Sequence, residues 1–193
     1  MLFRSIRAIL DEIEIVNAQI HGYGSRNFGR NLQQAYRHLA ERDIAEDDLR
    51  KVMSFAEKIL SQPVELIEGV EETLAELVQR HDLTLFTKGD AEEQKLKVDR
   101  SGLGIFFGHL GIVKEKNPDA YRTLMAERSM PPATTWMIGN SPKSDVNAAL
   151  AAGMNAVFVP HSRTWSLERQ EIRNGGPGRL EVVERFSDLV RLF

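Results

Sequence analysis

Residues 135–153 read TWMIGNSPKSDVNAALAAG. The first four residues are apolar or β-branched and fit a short buried strand, and Val146 to Ala151 fit a helix. Between them lie Gly139, Asn140, Ser141, Ser144 and Asp145. In an open parallel sheet, ligands bind outside the carboxyl ends of the strands. A strand that ends in a glycine, hydroxyls and a carboxylate, and passes straight into a helix, is therefore a candidate site.

The same order recurs on both sides of this stretch. LTLF, residues 83–86, follows an expected helix over 70–79 and leads into Thr87, Lys88, Gly89 and Asp90. HLGIV, with its strand over 110–113, follows a helix over 91–100 and leads into Lys114, Glu115, Lys116, Asn117 and Pro118. TWMI follows a helix over 120–127, and a strand over 156–159 follows the helix over 146–151. Alternation at this pitch predicts an α/β fold, a parallel sheet with helices on both faces. NGGPG, residues 174–178, reads as a surface loop before a last amphipathic segment.

Residues 1–62 are different and show only helical periodicity. Ile6, Ile9, Leu10, Ile13, Val16 and Ile20 share one helical face. HGYGSRNFG, residues 21–29, reads as a glycine-rich break. A second helix is expected over Leu32 to Leu39 and a third over Leu49 to Leu60, closed by Pro63. The expected organisation is an all-helical unit over 1–62 and an α/β core over 63–193.

Bulk properties narrow the function. A chain of 193 residues with 42% hydrophobic content can build one core plus a small module. Its net charge of -3 gives no electrostatic basis for a nucleic-acid partner. There is no cysteine, which excludes disulfides and thiolate chemistry. No apolar run approaches the roughly 20 residues of a membrane span, and the start MLFRSIRAIL lacks the apolar region of a signal peptide. A cytoplasmic protein without membrane contact is expected. At the three strand ends, a hydroxyl, lysines and a carboxylate suit a phosphoryl group beside a divalent cation such as magnesium.

Thr87 at a strand end, Lys116 in a K-x-P context and GNSPKSD opening a helix resemble, in order and spacing, the second, third and fourth motifs of the haloacid dehalogenase (HAD) superfamily. Residues 1–62 are similar to the helical cap that these enzymes insert after their first strand. The resemblance implies a Rossmann-like core with that cap, and a magnesium-dependent phosphatase acting on a small phosphorylated molecule through an aspartyl-phosphate. It implies that Thr87, with Lys88 and Gly89, binds phosphate and that Lys116 offsets its charge. Asp145 would hold magnesium, and Asn140 stands where many relatives have a second aspartate. In the cap, Asn17, His21 and Tyr23 flank the break and are candidates to face substrate. The plainer reading is that Tyr23 packs and His21 is solvated. Lys114 competes with Lys116, but the K-x-P spacing favours Lys116. Asp145 also suits a helix N-cap. Trp165 reads as a packing tryptophan or a rim residue, and Arg163, Glu168 and Arg169 as a surface ion-pair face.

The same resemblance implies a first motif ahead of the cap, an apolar strand followed by D-x-D. None occurs in the 193 residues. Asp47 and Asp48 sit in a polar helical stretch and Asp11 in an amphipathic helix. Without the aspartate no covalent intermediate forms; the chain as it stands is expected to be inactive, with magnesium bound weakly or not at all. The simplest explanation is a fragment, or a start at an internal methionine. In the family the absent strand lies mid-sheet, between the strands ending at Thr87 and Gly139. Buried unpaired backbone groups cost about 1–3 kcal/mol each, against a total stability of about 5–15 kcal/mol. Three outcomes are expected: the flanking strands close on each other, another chain fills the place and makes a homo-oligomer, or the chain aggregates. Two other functions remain open: a binding protein without catalysis, and a carbon–halogen hydrolase, which needs no magnesium.

Overall fold

The computed structural model describes residues 2–173 and 175–193, with side chains from residue 6 onward. Asn174 of the NGGPG loop lies outside the described residues. Three helices come first, α1 (Leu2–His21), α2 (Ser25–Leu39) and α3 (Glu46–Ser61). The break expected over residues 21–29 is shorter than its composition suggests, because α2 already starts at Ser25. Gly29 therefore lies inside the helix and not in the break. It faces α3, where a Cβ would lie 2.6 Å from the Met53 sulfur and 2.9 Å from the Ala56 methyl. This glycine serves close helix packing and not a turn. Leu10, Ala35, Leu49 and Ala56 are the buried apolar positions of the three helices.

The α/β part follows, with α4 (Val70–Leu77), β1 (Thr84–Lys88), α5 (Ala91–Ser101), β2 (His109–Val113), α6 (Pro118–Glu127) and β3 (Trp136–Gly139). A π-helical turn (Pro142–Asn147) then runs into α7 (Ala148–Ala151), and β4 (Asn155–Phe158), β5 (Leu180–Val182) and α8 (Leu189–Leu192) complete the chain. Every strand pairing is parallel. The expected order of strands and helices is present, with an N-terminal helical cap on a parallel α/β core. β5 is an addition within the last amphipathic segment; it pairs with β4 through Ala156 and Leu180.

The sheet is in two pieces. β1 pairs with β2, and β3, β4 and β5 form a second sheet; among the described residues no ladder joins β1 to β3. The same helices nevertheless enclose both. Phe86 of β1 and Met137 of β3 pack on Tyr121 and Met125 of α6 and Ala149 of α7. On the opposite face Leu83, just before β1, and Ile138 of β3 pack with Leu77 of α4 and Leu189 of α8. β1 and β3 therefore lie in one layer with a slot between them.

Ladder geometry shows which groups face that slot. Gly108 N–H donates to Leu83 C=O and Gly89 N–H donates to Val113 C=O. Alternation then turns the backbone groups of Thr84, Phe86 and Lys88 away from β2. By the same rule, the bonds from Asn155 N–H to Thr135 C=O and from Val159 N–H to Gly139 C=O leave Trp136 and Ile138 facing the slot from the other side. All residues of β1 and β3 are only partly buried, whereas Asn155, Ala156 and Val157 of β4 are buried. Closure of the two flanking strands, one of the three expected outcomes, does not occur. No helix among the described residues is long and apolar enough to cross a membrane.

Candidate active site

Two capped helix starts fix the first pair of side chains. Asn117 caps α6 by accepting from Ala120 N–H at 2.9 Å, with Pro118 in the first turn. This sets the backbone that carries Lys116. Ser141 caps the π turn by accepting from Ser144 N–H at 2.8 Å. Both Asp145 N–H and Val146 N–H reach Ser141 C=O, at 3.0 and 3.1 Å. Such turns recur at functional sites. Here the turn folds Asp145 back over the end of β3, where its Oδ2 accepts from Ser141 N–H at 2.9 Å. A Cβ on Gly139 would lie 2.2 Å from that same Oδ2, so only glycine fits. Asp145 Oδ1 accepts from Lys116 Nζ, and both side chains are largely buried.

A second charged cluster lies beside this pair. Lys88 Nζ is 2.7 Å from Glu115 Oε1, 2.7 Å from Glu168 Oε1 and 2.9 Å from Ser144 Oγ. It also lies 4.4 Å from the centre of the Tyr23 ring. Tyr23 Oη donates to Glu115 Oε2 at 2.5 Å, and its ring meets Trp165 edge-on at 6.0 Å. Glu168 Oε2 accepts from Ser141 Oγ. Lys88 thereby joins β1, the loop after β2, the π turn, the cap and the segment around Trp165.

The charge states follow from these contacts. Burial alone would lower the Lys88 pKa, but hydrogen bonds to Glu115 and Glu168 outweigh it and hold the ammonium above its usual range. Burial would raise Glu168, yet Lys88, Ser141 and Ser144 hold it below the usual carboxylate range. The Tyr23 phenol is pushed up to about 12, chiefly by burial and then by its bond to Glu115. Tyr121, whose Oη donates to Ser144 C=O at 2.9 Å, is raised by burial and by the nearby Asp145 and Glu168 charges.

The residues singled out in the sequence fare differently. Thr87, Lys116 and Asp145 all lie at the carboxyl ends of the strands, and Lys116 and Asp145 touch. Thr87 Oγ1 approaches Gln94 Oε1 at 3.4 Å and makes no contact with that pair. Lys88 and Gly89 are at the same rim, but the Lys88 donors are spent on protein partners. Tyr23 reaches the site through its phenol, which is likewise engaged. Asn17 does not: its amide donates to Asn31 and Gln34 within the cap, at 2.7 and 3.0 Å. Asn140 Nδ2 donates to Thr164 Oγ1 at 2.7 Å. Lys114 and His21 are exposed. Glu168 corrects the surface ion-pair reading: it is buried and belongs to Lys88, while Arg163 pairs with Glu65. Nothing local in the sequence marks Glu168, since its partner is 80 positions away.

The donors present do not by themselves fit magnesium. Asp145 has both oxygens engaged by Lys116 and Ser141; Asn140 Nδ2 is held by Thr164, which leaves its amide oxygen as a single neutral donor. Among the described residues no group of three His, Cys, Asp or Glu side chains could hold a metal ion. The residues do form a wall of an open cleft of about 1600 Å³ between the cap and the core. Lys116 and Glu115 line it beneath Tyr23 and Trp165.

The family described as haloacid dehalogenase-like hydrolase matches residues 2–159. No curated protein matches the chain. A haloacid dehalogenase-like family hydrolase from Xanthomonas campestris has the same fold, with a TM-score of 0.80 and 27% identity over 98% of this chain and 86% of that one. The HAD-hydrolase YfnB from Bacillus subtilis, in a structure bound to magnesium, gives a TM-score of 0.70 at 13% identity, covering 98% of this chain and 81% of that one. L-2-haloacid dehalogenase from Xanthobacter autotrophicus gives 0.66 at 17% identity, covering 97% and 83%. At those two identities the likeness is one of fold. The match over residues 2–159, together with the cap, the parallel core and the strand-end residues, places the chain in the haloacid dehalogenase-like hydrolase family.

Proposed function

We propose that this rim is the anion-binding half of a hydrolase site, and that it holds a small organic anion. The observation that carries the reading is the slot. Its two flanking strands run parallel and carry Thr87 and Gly139 at their ends, beside the Lys116–Asp145 pair. A strand inserted there would place its last side chains against Lys116. An aspartate in that position would supply the nucleophile, whether its strand is joined to this chain or carried by another copy.

Of the two reaction classes, carbon–halogen hydrolysis agrees better with the side chains present. Asp145 is already neutralised by Lys116, which leaves a lysine-bound carboxylate and not an open metal ligand. In that reaction an aspartate oxygen would attack the halogen-bearing carbon, and a carbon–oxygen bond forms as halide leaves. Water then cleaves the ester, returning the carboxylate, a proton and the hydroxy acid. Magnesium-dependent phosphoryl transfer is the second reading. It draws on the Thr87 hydroxyl and on the carboxylates that an acidic strand would add beside Asp145. Magnesium, when bound, would offset the charge of phosphate and carboxylates.

The test is a chain extended at its N-terminus by an apolar strand ending in Asp-x-Asp. Halide release from 2-chloropropionate that survives chelation supports the first reaction. Phosphate release from p-nitrophenyl phosphate that chelation abolishes supports the second. A folded extended chain with neither activity leaves the binding role alone and overturns the hydrolase reading.

A further inference from the structure

The cations facing the cleft are not those of the buried clusters. Lys116 belongs to Asp145, and Lys88 belongs to Glu115 and Glu168. Lys143, at the start of the π turn, is half-buried and lines the cleft. Arg173 and Lys114 line it too. None of the three has an acidic partner among the described residues. Of the carboxylates lining the same space, Glu115 and Glu168 are held by Lys88, and Asp90 caps α5 by accepting from Glu92 N–H and Glu93 N–H. With Lys88 and Asp145 counted beside the lining residues, five cations face four carboxylates on the core side, and the three cations without an acidic partner are the ones left to meet an anion.

The opposite wall is apolar. Ile15 and Ile20 of α1 both line the cleft and are 48% and 67% exposed. Large apolar side chains that open onto a cavity mark a binding surface more often than ones scattered over the outside. Leu167 and Trp165 continue the apolar lining. The volume of about 1600 Å³ also exceeds what an anion of two or three carbons needs.

We propose that the cleft takes an organic acid with an extended apolar tail, its anionic head held by Lys143 and Arg173 and its tail laid along Ile15, Ile20 and Trp165. This deepens the reading of the rim as an anion site. It is tested by binding alone, so its outcome is independent of whether an extended chain turns over.

The chain has two tryptophans, so Trp136→Phe leaves Trp165 as the only one. Titration of this variant with sodium octanoate should change Trp165 emission saturably. Octanoate should bind at least about tenfold more tightly than acetate, which has the head alone, or 1-octanol, which has the tail alone. Calorimetry on the unmodified chain should give the same order and removes dependence on the Trp136 variant. Lys143→Glu with Arg173→Glu should weaken octanoate at least about tenfold and leave 1-octanol unchanged. Ile20→Asp should weaken octanoate and leave acetate unchanged. Octanoate bound no more tightly than 1-octanol, or unaffected by the charge reversals, overturns the proposal.

Discussion

Lys88 Nζ lies 2.7 Å from Glu168 Oε1, although the two residues are 80 positions apart. With side chains only 13% and 9% exposed, they form a buried ion pair. Breaking such a pair by removing one member costs more than the pair contributes, because the other charge stays buried.

Lys88→Met should therefore destabilise the chain by about 3–5 kcal/mol in urea unfolding. Lys88→Met with Glu168→Gln should cost less than Lys88→Met alone, since no uncompensated carboxylate remains at position 168. A double variant as unstable as the single one would show that the cost lies elsewhere.

Glu168 also sets an acid limb. Its folded pKa is depressed, so its contribution is present above the unfolded value of about 4.3 and is lost as pH falls through the lower folded value. Thermal midpoints of Glu168→Gln should be lower than those of the parent at neutral pH. The gap should narrow below about pH 4.

Glu14 works with the opposite sign. It is buried in α1, and its Oε2 has no hydrogen-bond partner among the described residues. Burial raises its pKa against the pull of Arg7, with Asp11 adding to the rise. The folded state therefore favours the protonated acid, and stability falls as pH rises from the unfolded value through the folded one. Glu14→Gln should raise the thermal midpoint at pH 7.5 and leave it nearly unchanged at pH 4. A loss of stability at both would contradict this.

Gly139→Ala should disturb the site from behind. The added methyl would meet the Asp145 carboxylate at 2.2 Å. A shift of Asp145 would open its bonds to Ser141 and Lys116. The expected cost is about 1–3 kcal/mol, read as a lower urea midpoint with an unchanged slope.

Tyr23→Phe removes the donor to Glu115, at an expected cost of about 1–2 kcal/mol. The phenol titrates near 12 when folded and near 10 when unfolded. Stability from this group is complete below about pH 10 and is lost as pH rises toward 12. The alkaline decline between those values should be shallower in Tyr23→Phe.

Much of this architecture was legible because it is local. Residues 83–90 and 135–153 announce strand, turn and helix within a single window. The cap expected at Asp145 is made instead by Ser141, four residues earlier, because the π turn begins at Pro142, and Asn117 caps α6 next to Lys116. The failures are non-local. Lys88 looks like a free rim lysine until Glu115 and Glu168 arrive from two other segments. Gly29 looks like a loop residue until Met53 and Ala56 close over it. β5 is three residues long and forms only because β4 offers an edge. Asn17 lies within reach of the break in sequence, but its amide partners come from α2.

The interlock at Gly29 bears on what the cap can tolerate. Two helices that meet sulfur and methyl against bare backbone have no slack to slide past each other. A side chain of any size at position 29 would therefore wedge α2 and α3 apart instead of being absorbed by its neighbours.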